Sequence, residues 1–419
     1  MRPTRGWNLG ILGILVVVGV LAGAGFRLTS KSRIAPPPTT QVVKRAVPAI
    51  YALPPASVTT LRHPRSVSRA VGFLTELQPE DTYVLSIKGT PTVVPMDVAH
   101  AAIAFVSVDR LQLAESAMTW LYQRMIRPDS AGAVDAEGND YSGSWYDSLR
   151  TNGDPTPGAS RGRGEAVGMA LIATYTIYEQ DPAYVSTPIG DSRIIDLVKL
   201  ATQYLTRPSM QAPDGRFYHS PTYRVSFNEE CARMTLGLQL AVQMLRAQGD
   251  PSAAEQASAA ASRGLRSLQD GRDLSQGMAY DFYGRAIWGL ATPAEAKKEI
   301  GALRSAGLVG PGGVRNWDWQ LSTASSPLVW LRWWAQAQTI APSQTFDYAI
   351  ASIGAGDLTT ALKLEKLWLS LQRPDGGFDD GFLFGPLGLH LGFGQPTSYA
   401  VARFILLENL LTHVVGSTS

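Results

Sequence analysis

Apolar residues recur at three- and four-residue spacing along most of this chain, the period of helices with one buried face. In the stretch 227–245, Met234, Leu238, Ala241 and Leu245 fall on one side of a helix. The same spacing predicts paired helices at Met96–Val106 with Leu111–Met125, Gly164–Glu179 with Ser192–Thr206, and Phe227–Leu245 with Pro251–Leu268. Further pairs follow at Gly277–Leu290 with Pro293–Ala306 and at Ser325–Thr339 with Leu358–Leu371. Pro396–Leu411 closes the series against Arg62–Ile87. The period-two alternation of strands is sparse, with short candidates at Thr82–Ile87 and Thr92–Val94.

The outer member of most pairs ends alike. Pro374-Asp375-Gly376 follows one helix, and Arg207-Pro208 with Pro213-Asp214-Gly215 follows another. Proline presets φ for the first turn position and glycine takes the positive-φ position, so the chain reverses sharply. After Pro374-Asp375-Gly376 comes a loop rich in Gly and Phe that carries Asp379 and Asp380, before Pro396 opens the next helix. Helix pairs repeated every roughly 40–80 residues are stacked units that bury their faces only against neighbours. Five or six such pairs, without a polar capping repeat, predict an all-α fold, an (α/α)6 toroid, over residues 61–415.

The N-terminus breaks the pattern. Arg2 and Arg5 precede an uncharged apolar run, Leu9–Phe26, about long enough to span a bilayer as a helix. The flanking positive residues place its N-terminal side in the cytoplasm and the rest of the chain outside. Ala22-Gly23-Ala24 offers the competing reading of a cleaved signal peptide, but the run is longer than a usual signal core. The expectation is therefore a transmembrane signal anchor over 1–27, a Pro-rich extended linker over 28–60 (Pro36-Pro37-Pro38), and an extracytoplasmic domain.

Composition narrows the function. A net charge of +2 over 419 residues, with no dense basic stripe, argues against a nucleic-acid partner. A single cysteine, Cys231, excludes an internal disulfide and a cysteine metal cluster. The five histidines show no ligand spacing, so neither a metal nor a cofactor is expected. Ten Trp and 15 Tyr suit both a large core and stacking on sugar faces.

In a ring of this kind the N-termini of the inner helices share one mouth. Asp97, Glu165, Glu229 or Glu230, Asp281, Asp318, and Asp379 or Asp380 stand near those N-termini. Helix dipoles and free amides favour acids there whatever the function. Glycosidic cleavage, however, needs a pair of carboxylates, and such a ring of acids supplies one. Rings stand beside acids or an imidazole at Trp145-Tyr146-Asp147, Phe217-Tyr218-His219, Tyr280-Asp281-Phe282-Tyr283 and Trp317-Asp318-Trp319. Flat apolar faces next to hydroxyl-binding groups suit a sugar site.

Two stretches carry a family resemblance. Glu165-Ala166-Val167-Gly168-Met169 is similar to the start of an inner helix in glycoside hydrolase family 8. Tyr280-Asp281-Phe282-Tyr283-Gly284-Arg285 resembles an inner helix of bacterial sugar-processing toroids. The chain thus resembles the six-hairpin glycosidase-like superfamily, which implies a glycosidase with Glu165 as general acid. The family's Asp-rich inner-helix motif is missing, which leaves the base open between Asp281 and Asp318. Trp145, Asp147, Tyr218, Glu230, Tyr283, Trp317, Asp379 and Asp380 are the expected substrate-binding lining. Trp368, Gln372, Gly376 and Phe378 also follow the aromatic-Gln-Gly-aromatic repeat of terpene cyclases and prenyltransferases. The cyclases' Asp-x-Asp-Asp acid is absent, so only the architecture carries over. The resulting expectation is a glycoside hydrolase acting on an oligo- or polysaccharide beside an envelope polysaccharide assembly system. The alternative is a non-catalytic toroid that binds polysaccharide or a partner protein at the same mouth.

Overall fold

The computed structural model describes residues 49–270, 279–310, 312–315, 339–384 and 390–416. Its helices alternate between the outer and inner layers of a ring. They are α1 Pro64–Glu76, α2 Pro95–Ser107, α3 Leu111–Tyr122, α4 Gly164–Tyr178, α5 Ile194–Thr206 and α6 Asn228–Ala247. The series continues with α7 Pro251–Gln269, α8 Ala279–Ile287, α9 Pro293–Ser305, α10 Pro342–Gly354, α11 Leu358–Leu371 and α12 Ser398–Val415. The even-numbered helices each pack on the next, and α12 packs back on α2, which closes the ring. The odd-numbered helices form the outer layer, with α1 against α12. This is the six-hairpin α/α toroid.

Sequence decides which layer a helix joins. In α2 every residue but Met96 is buried, and in α4 Gly164 through Ile177 are buried. Helices apolar all round must be covered on all sides. The outer helices carry a stripe instead: α7 buries Ala253, Ala254, Ala257, Ala260, Ala261 and Gly264 and leaves its other face polar. Proline at the first turn opens α1, α2, α7, α9 and α10, where its missing N–H costs no helical bond.

Small residues set the closest crossing. A Cβ on Gly168 of α4 would lie 2.8 Å from the backbone of Arg233, and one on Gly237 of α6 would lie 2.6 Å from the carbonyl of Gly168. The two backbones can meet only at glycine. Gly168→Ala is expected to force them apart and cost about 1–3 kcal/mol, read as a lowered urea midpoint.

The turn after α11 works as a clamp. Gly376 has φ +94, and a Cβ there would lie 2.1 Å from the Arg69 carbonyl of α1. Gln372 donates to the Gly376 carbonyl at 3.1 Å and to the Ser66 carbonyl at 3.0 Å. Phe378 and Trp368 are fully buried, and Phe378 packs on Phe346 and Phe404 with ring centroids 5.1 Å apart in both pairs. The Trp368, Gln372, Gly376 and Phe378 set therefore ties the last hairpin to the first helix.

Several expectations are corrected. The described inner helix that pairs with Leu358–Leu371 is Pro342–Gly354, which escapes the sequence reading; Ser325–Thr339 lies largely outside the described residues. The Gly- and Phe-rich loop is a hairpin: β8 (Gly381–Phe384) pairs antiparallel with β9 (His390–Phe393), and β7 (Thr339–Ile340) pairs with β8. The short strands β1 to β6 are Thr92–Val93, Leu149–Arg150, Pro188–Ile189, Ser192–Arg193, Val309–Gly310 and Gly313–Val314. Thr82–Ile87 forms no strand, only a bridge from Ile87 to Thr397. The fold also begins before residue 61. Ile50 and Leu53 are buried, and Ala56 donates to the Ser107 carbonyl at 3.1 Å, so 49–60 pack on the ring rather than forming a free linker. Leu9–Phe26 lies outside the described residues, among which no helix is long and apolar enough to cross a membrane.

Candidate active site

The first turns of the inner helices bring their polar side chains together at one end of the ring. α2 contributes Asp97, α4 contributes Glu165, and α6 contributes Glu229 and Glu230. All four are buried. Arg233, one turn into α6, joins them. Its guanidinium donates through Nη1 to Glu165 Oε2 at 2.8 Å, and through Nη2 to Glu229 Oε1 and, at 3.4 Å, to the Tyr399 hydroxyl of α12. One cation thus links three inner helices.

A second buried pair lies beside it. Arg403 of α12 stands 2.9 Å from Asp347 of α10, and the Tyr399 hydroxyl donates to the other oxygen of Asp347 at 3.0 Å. The Arg403 guanidinium lies 4.8 Å over the Trp288 ring. His100 of α2 donates from Nδ1 to the Met96 carbonyl at 2.7 Å and meets the edge of Tyr399. Burial, then the charges of Arg403 and Arg233, hold His100 well below its usual range. It is a neutral ring in this cluster.

The loop between α5 and α6 covers part of this mouth. Its His219 meets Glu230 through Nδ1 at 2.9 Å, and its carbonyl accepts from Gly164 N–H at 2.9 Å, which fixes the loop to the start of α4. His219 also packs edge-on against Tyr223 and Phe227. Arg163, just before α4, reaches Asp147 and Glu165, each at 3.6 Å. Its side chain is 42% exposed, against 10% for Glu165 and 9% for Glu230. The site is thus graded, from a wet rim of Arg163, Asp147 and Tyr223 to dry carboxylates below.

Burial sets the protonation of those carboxylates. Glu230 is raised to about 7 by burial and by the charge of Glu165, with His219 pulling the other way. Glu229 is raised to about 8 by burial, against Arg233. Asp97 is raised to about 7 by burial, opposed by a Ser86 hydrogen bond. Burial disfavours the charge of Arg233, but Glu229, Tyr399 and Glu165 more than offset it and hold its proton tightly. A carboxyl with a pKa near 7 at a partly wet mouth is both donor and acceptor at neutral pH, as acid–base catalysis requires.

The same shifts predict how stability depends on pH. Glu230, Glu229 and Asp97 bind protons more tightly folded than their ordinary values of 4.5, 4.5 and 3.8. Their stabilisation is complete below about pH 4 and is lost as pH rises through 7 to 8. Thermal unfolding should show a melting point clearly lower at pH 9 than at pH 5. A flat or rising profile over that window contradicts the assignment.

The structure sorts the residues expected from sequence. Glu165, Glu230 and Asp147 meet at the mouth, Asp147 through Arg163, whereas the half-buried Tyr218 of the α5–α6 loop packs under Arg224. Trp145 does not line it: the ring is buried, its Nε1 donates to the Leu121 carbonyl at 2.8 Å, and it packs on Tyr122. Tyr283 is likewise fully buried, with its hydroxyl 3.4 Å from the Gln344 carbonyl. Both fill the wall rather than offering a stacking face. Asp379 pairs with Arg373 at 3.1 Å in the turn after α11, and Asp380 sits on the exposed edge of that turn. Neither joins the Arg233 cluster. Asp281 belongs to the first turn of α8, but its side chain lies outside the described residues, as do Asp318 and Trp317. Arg233, Asp347, Tyr399 and Arg403 escape the sequence reading. The signal for Arg233 was the i, i+4 spacing from Glu229, which places both on one helix face. The signal for Asp347 was Pro342 opening a run with Phe346, Ala349, Ile350 and Ile353 on one face.

No family model matches the chain, and no curated protein matches it. Solved structures do. A glycosidase solved as a glutamate-to-alanine variant aligns with TM-score 0.59 at 15% identity, over 83% of this chain and 96% of that one. A second such glycosidase variant, in complex with glucose, aligns with TM-score 0.58 at 14% identity over the same shares. A bacterial glucoamylase complexed with acarbose gives TM-score 0.50 at 12% identity, over 86% of this chain and 58% of that one. At these identities the likeness establishes the fold alone, an α/α toroid shared with these glycosidases.

Proposed function

We propose that this chain is a glycoside hydrolase, with Glu230 as proton donor and Glu165 as its partner carboxylate. One observation carries the reading. Two carboxylates from the first turns of adjacent inner helices share a half-dry mouth, and burial and its partner's charge raise one of them to about 7. Glu230 delivers its proton to the glycosidic oxygen as the bond to the anomeric carbon breaks. The electron pair of that bond leaves with the aglycone. Glu165 faces the positive charge that grows on the sugar ring; water supplies the new hydroxyl, and the proton it gives up restores, through solvent, the one that Glu230 donated. His219 holds the Glu230 carboxyl in place, and Arg233 holds Glu165. Arg163, Asp147 and Tyr223 meet the substrate's hydroxyls at the rim. This exchanges the acid role that the family 8 resemblance gives Glu165, because two guanidinium groups flank Glu165 and none touches Glu230 among the described residues.

The neighbour in complex with glucose and the one with acarbose support a hexose-containing substrate. We place the domain outside the cytoplasm, anchored by Leu9–Phe26 and acting on an envelope oligo- or polysaccharide; Arg2, Arg5 and the apolar run support this. The test is hydrolysis of a panel of glucosides, mannosides and envelope glycans by the purified chain. Turnover abolished in Glu230→Gln supports the reading. Binding without turnover on the whole panel returns the protein to the non-catalytic class. Fractionation tests the placement, which requires a product released from membranes only by detergent.

A further inference from the structure

Away from the mouth, the ring holds a second group of ionisable side chains. Glu408 lies nine residues beyond Tyr399 on α12, about 14 Å along the helix axis. Glu365 comes from α11, and His63 stands just before α1. One ligand atom from each of the three lies within 4.8 Å of the other two. Glu408 is wholly buried; its carboxyl faces the Glu365 carboxyl and the His63 backbone N–H, and no cationic side chain pairs with it among the described residues. Glu365 is 2% exposed, and its Oε1 accepts from Arg62 Nε at 3.0 Å. His63 Nε2 stands 3.4 Å from the same oxygen.

Two buried carboxyls face one guanidinium, so one of them is neutralised by something other than Arg62, either a bound cation or a proton. Two ligand atoms on a tetrahedral zinc ion are about 3.3 Å apart, and the His63–Glu365 separation already matches. Glu408 offers its ligand atom within 4.8 Å of the other two. Arg62 then serves as the outer partner that orients the Glu365 carboxylate. The His63 side chain is 38% exposed, so the site opens to solvent on that side. The geometry points to a divalent-cation site of the zinc type, formed by His63, Glu365 and Glu408. The mixed imidazole and carboxylate donors favour such an ion over magnesium or calcium, which take all-oxygen shells. The ion ties the start of α1 to α11 and α12, and so locks the first helix of the ring to its last hairpin. The site takes no part in glycoside cleavage.

The competing occupant is a proton. Burial, then the charge of Glu365, raises Glu408 to about 9. The experiment therefore uses the full chain, stripped with a chelator and titrated with zinc chloride by calorimetry, with magnesium and calcium in parallel. Uptake of one zinc per chain is expected, with a rise in Tm of roughly 3–5 °C at a hundredfold excess over Kd. His63→Ala changes a half-exposed residue and leaves the fold intact. It should weaken zinc binding at least about tenfold, as should Glu408→Gln. No uptake at millimolar zinc overturns the proposal and assigns the pair a shared proton. So does uptake that both variants leave unchanged.

Discussion

Arg233→Met is expected to lower the unfolding free energy by about 3–5 kcal/mol at neutral pH, the cost of breaking a buried ion pair from one side. Arg233 is 2% exposed; it pairs with Glu165 and donates to the Glu229 carboxyl. Methionine keeps the length of the stem, so the loss is one of charge and hydrogen bonding rather than of volume. Arg233→Lys should recover little, because an ammonium lacks the fork that reaches carboxylates on two helices and the Tyr399 hydroxyl at once. Two controls separate charge from packing. At pH 5 the freed carboxylates take up protons, so the deficit shrinks. In the double variant Glu229→Gln, Arg233→Met, one acceptor that Arg233 served is already replaced, so the loss is smaller than the sum of the singles. Urea denaturation followed by circular dichroism measures all four. A deficit below about 1 kcal/mol at neutral pH would show that Arg233 is not the electrostatic hub of the ring.

The sequence carries the architecture because helix period and turn chemistry are local. The boundaries of α4, α6 and α7 follow from spacing, Pro and Gly alone. The rest depends on contacts between segments distant in sequence, or is masked by a stronger neighbouring signal. The Gly- and Phe-rich stretch after Asp380 becomes strands only because β7, some 40 residues earlier, offers an edge to pair with. Pro342–Gly354 is overshadowed by the stronger tryptophan pattern of Ser325–Thr339 just before it. The acids at the mouth are legible, since helix N-termini announce themselves. Their partners are not. Arg233, Arg403 and Tyr399 sit at ordinary helical positions, and only ring closure brings α4, α6, α10 and α12 onto them. The choice between aromatic wall and aromatic platform is also invisible in sequence. Trp145 and Tyr218 both adjoin polar neighbours, yet the Trp145 nitrogen finds the Leu121 carbonyl inside the wall while Tyr218 stays half-exposed.

Glu230→Gln should reduce kcat by about 10²–10⁴ while leaving the fold and KM nearly intact. Glutamine fills the same space and still meets His219, so the pocket keeps its shape. What is lost is the proton delivered to the departing oxygen. That loss depends on the leaving group. An alkyl glycoside, whose alkoxide is strongly basic, needs the proton and suffers the full drop. A nitrophenyl glycoside leaves as a stabilised phenolate and suffers much less. The pH profile adds a second signature. In the native chain kcat/KM should fall as pH rises through about 7, where Glu230 gives up its proton. In Glu230→Gln that alkaline limb should vanish. Glu165→Gln distinguishes the roles: as partner carboxylate it slows both substrates alike. The opposite pattern, with Glu165→Gln sparing the nitrophenyl substrate and Glu230→Gln affecting both equally, would move the proton donor to α4. The mouth would then work as the family 8 resemblance implies, with the acid on the helix that Gly168 seats against Arg233.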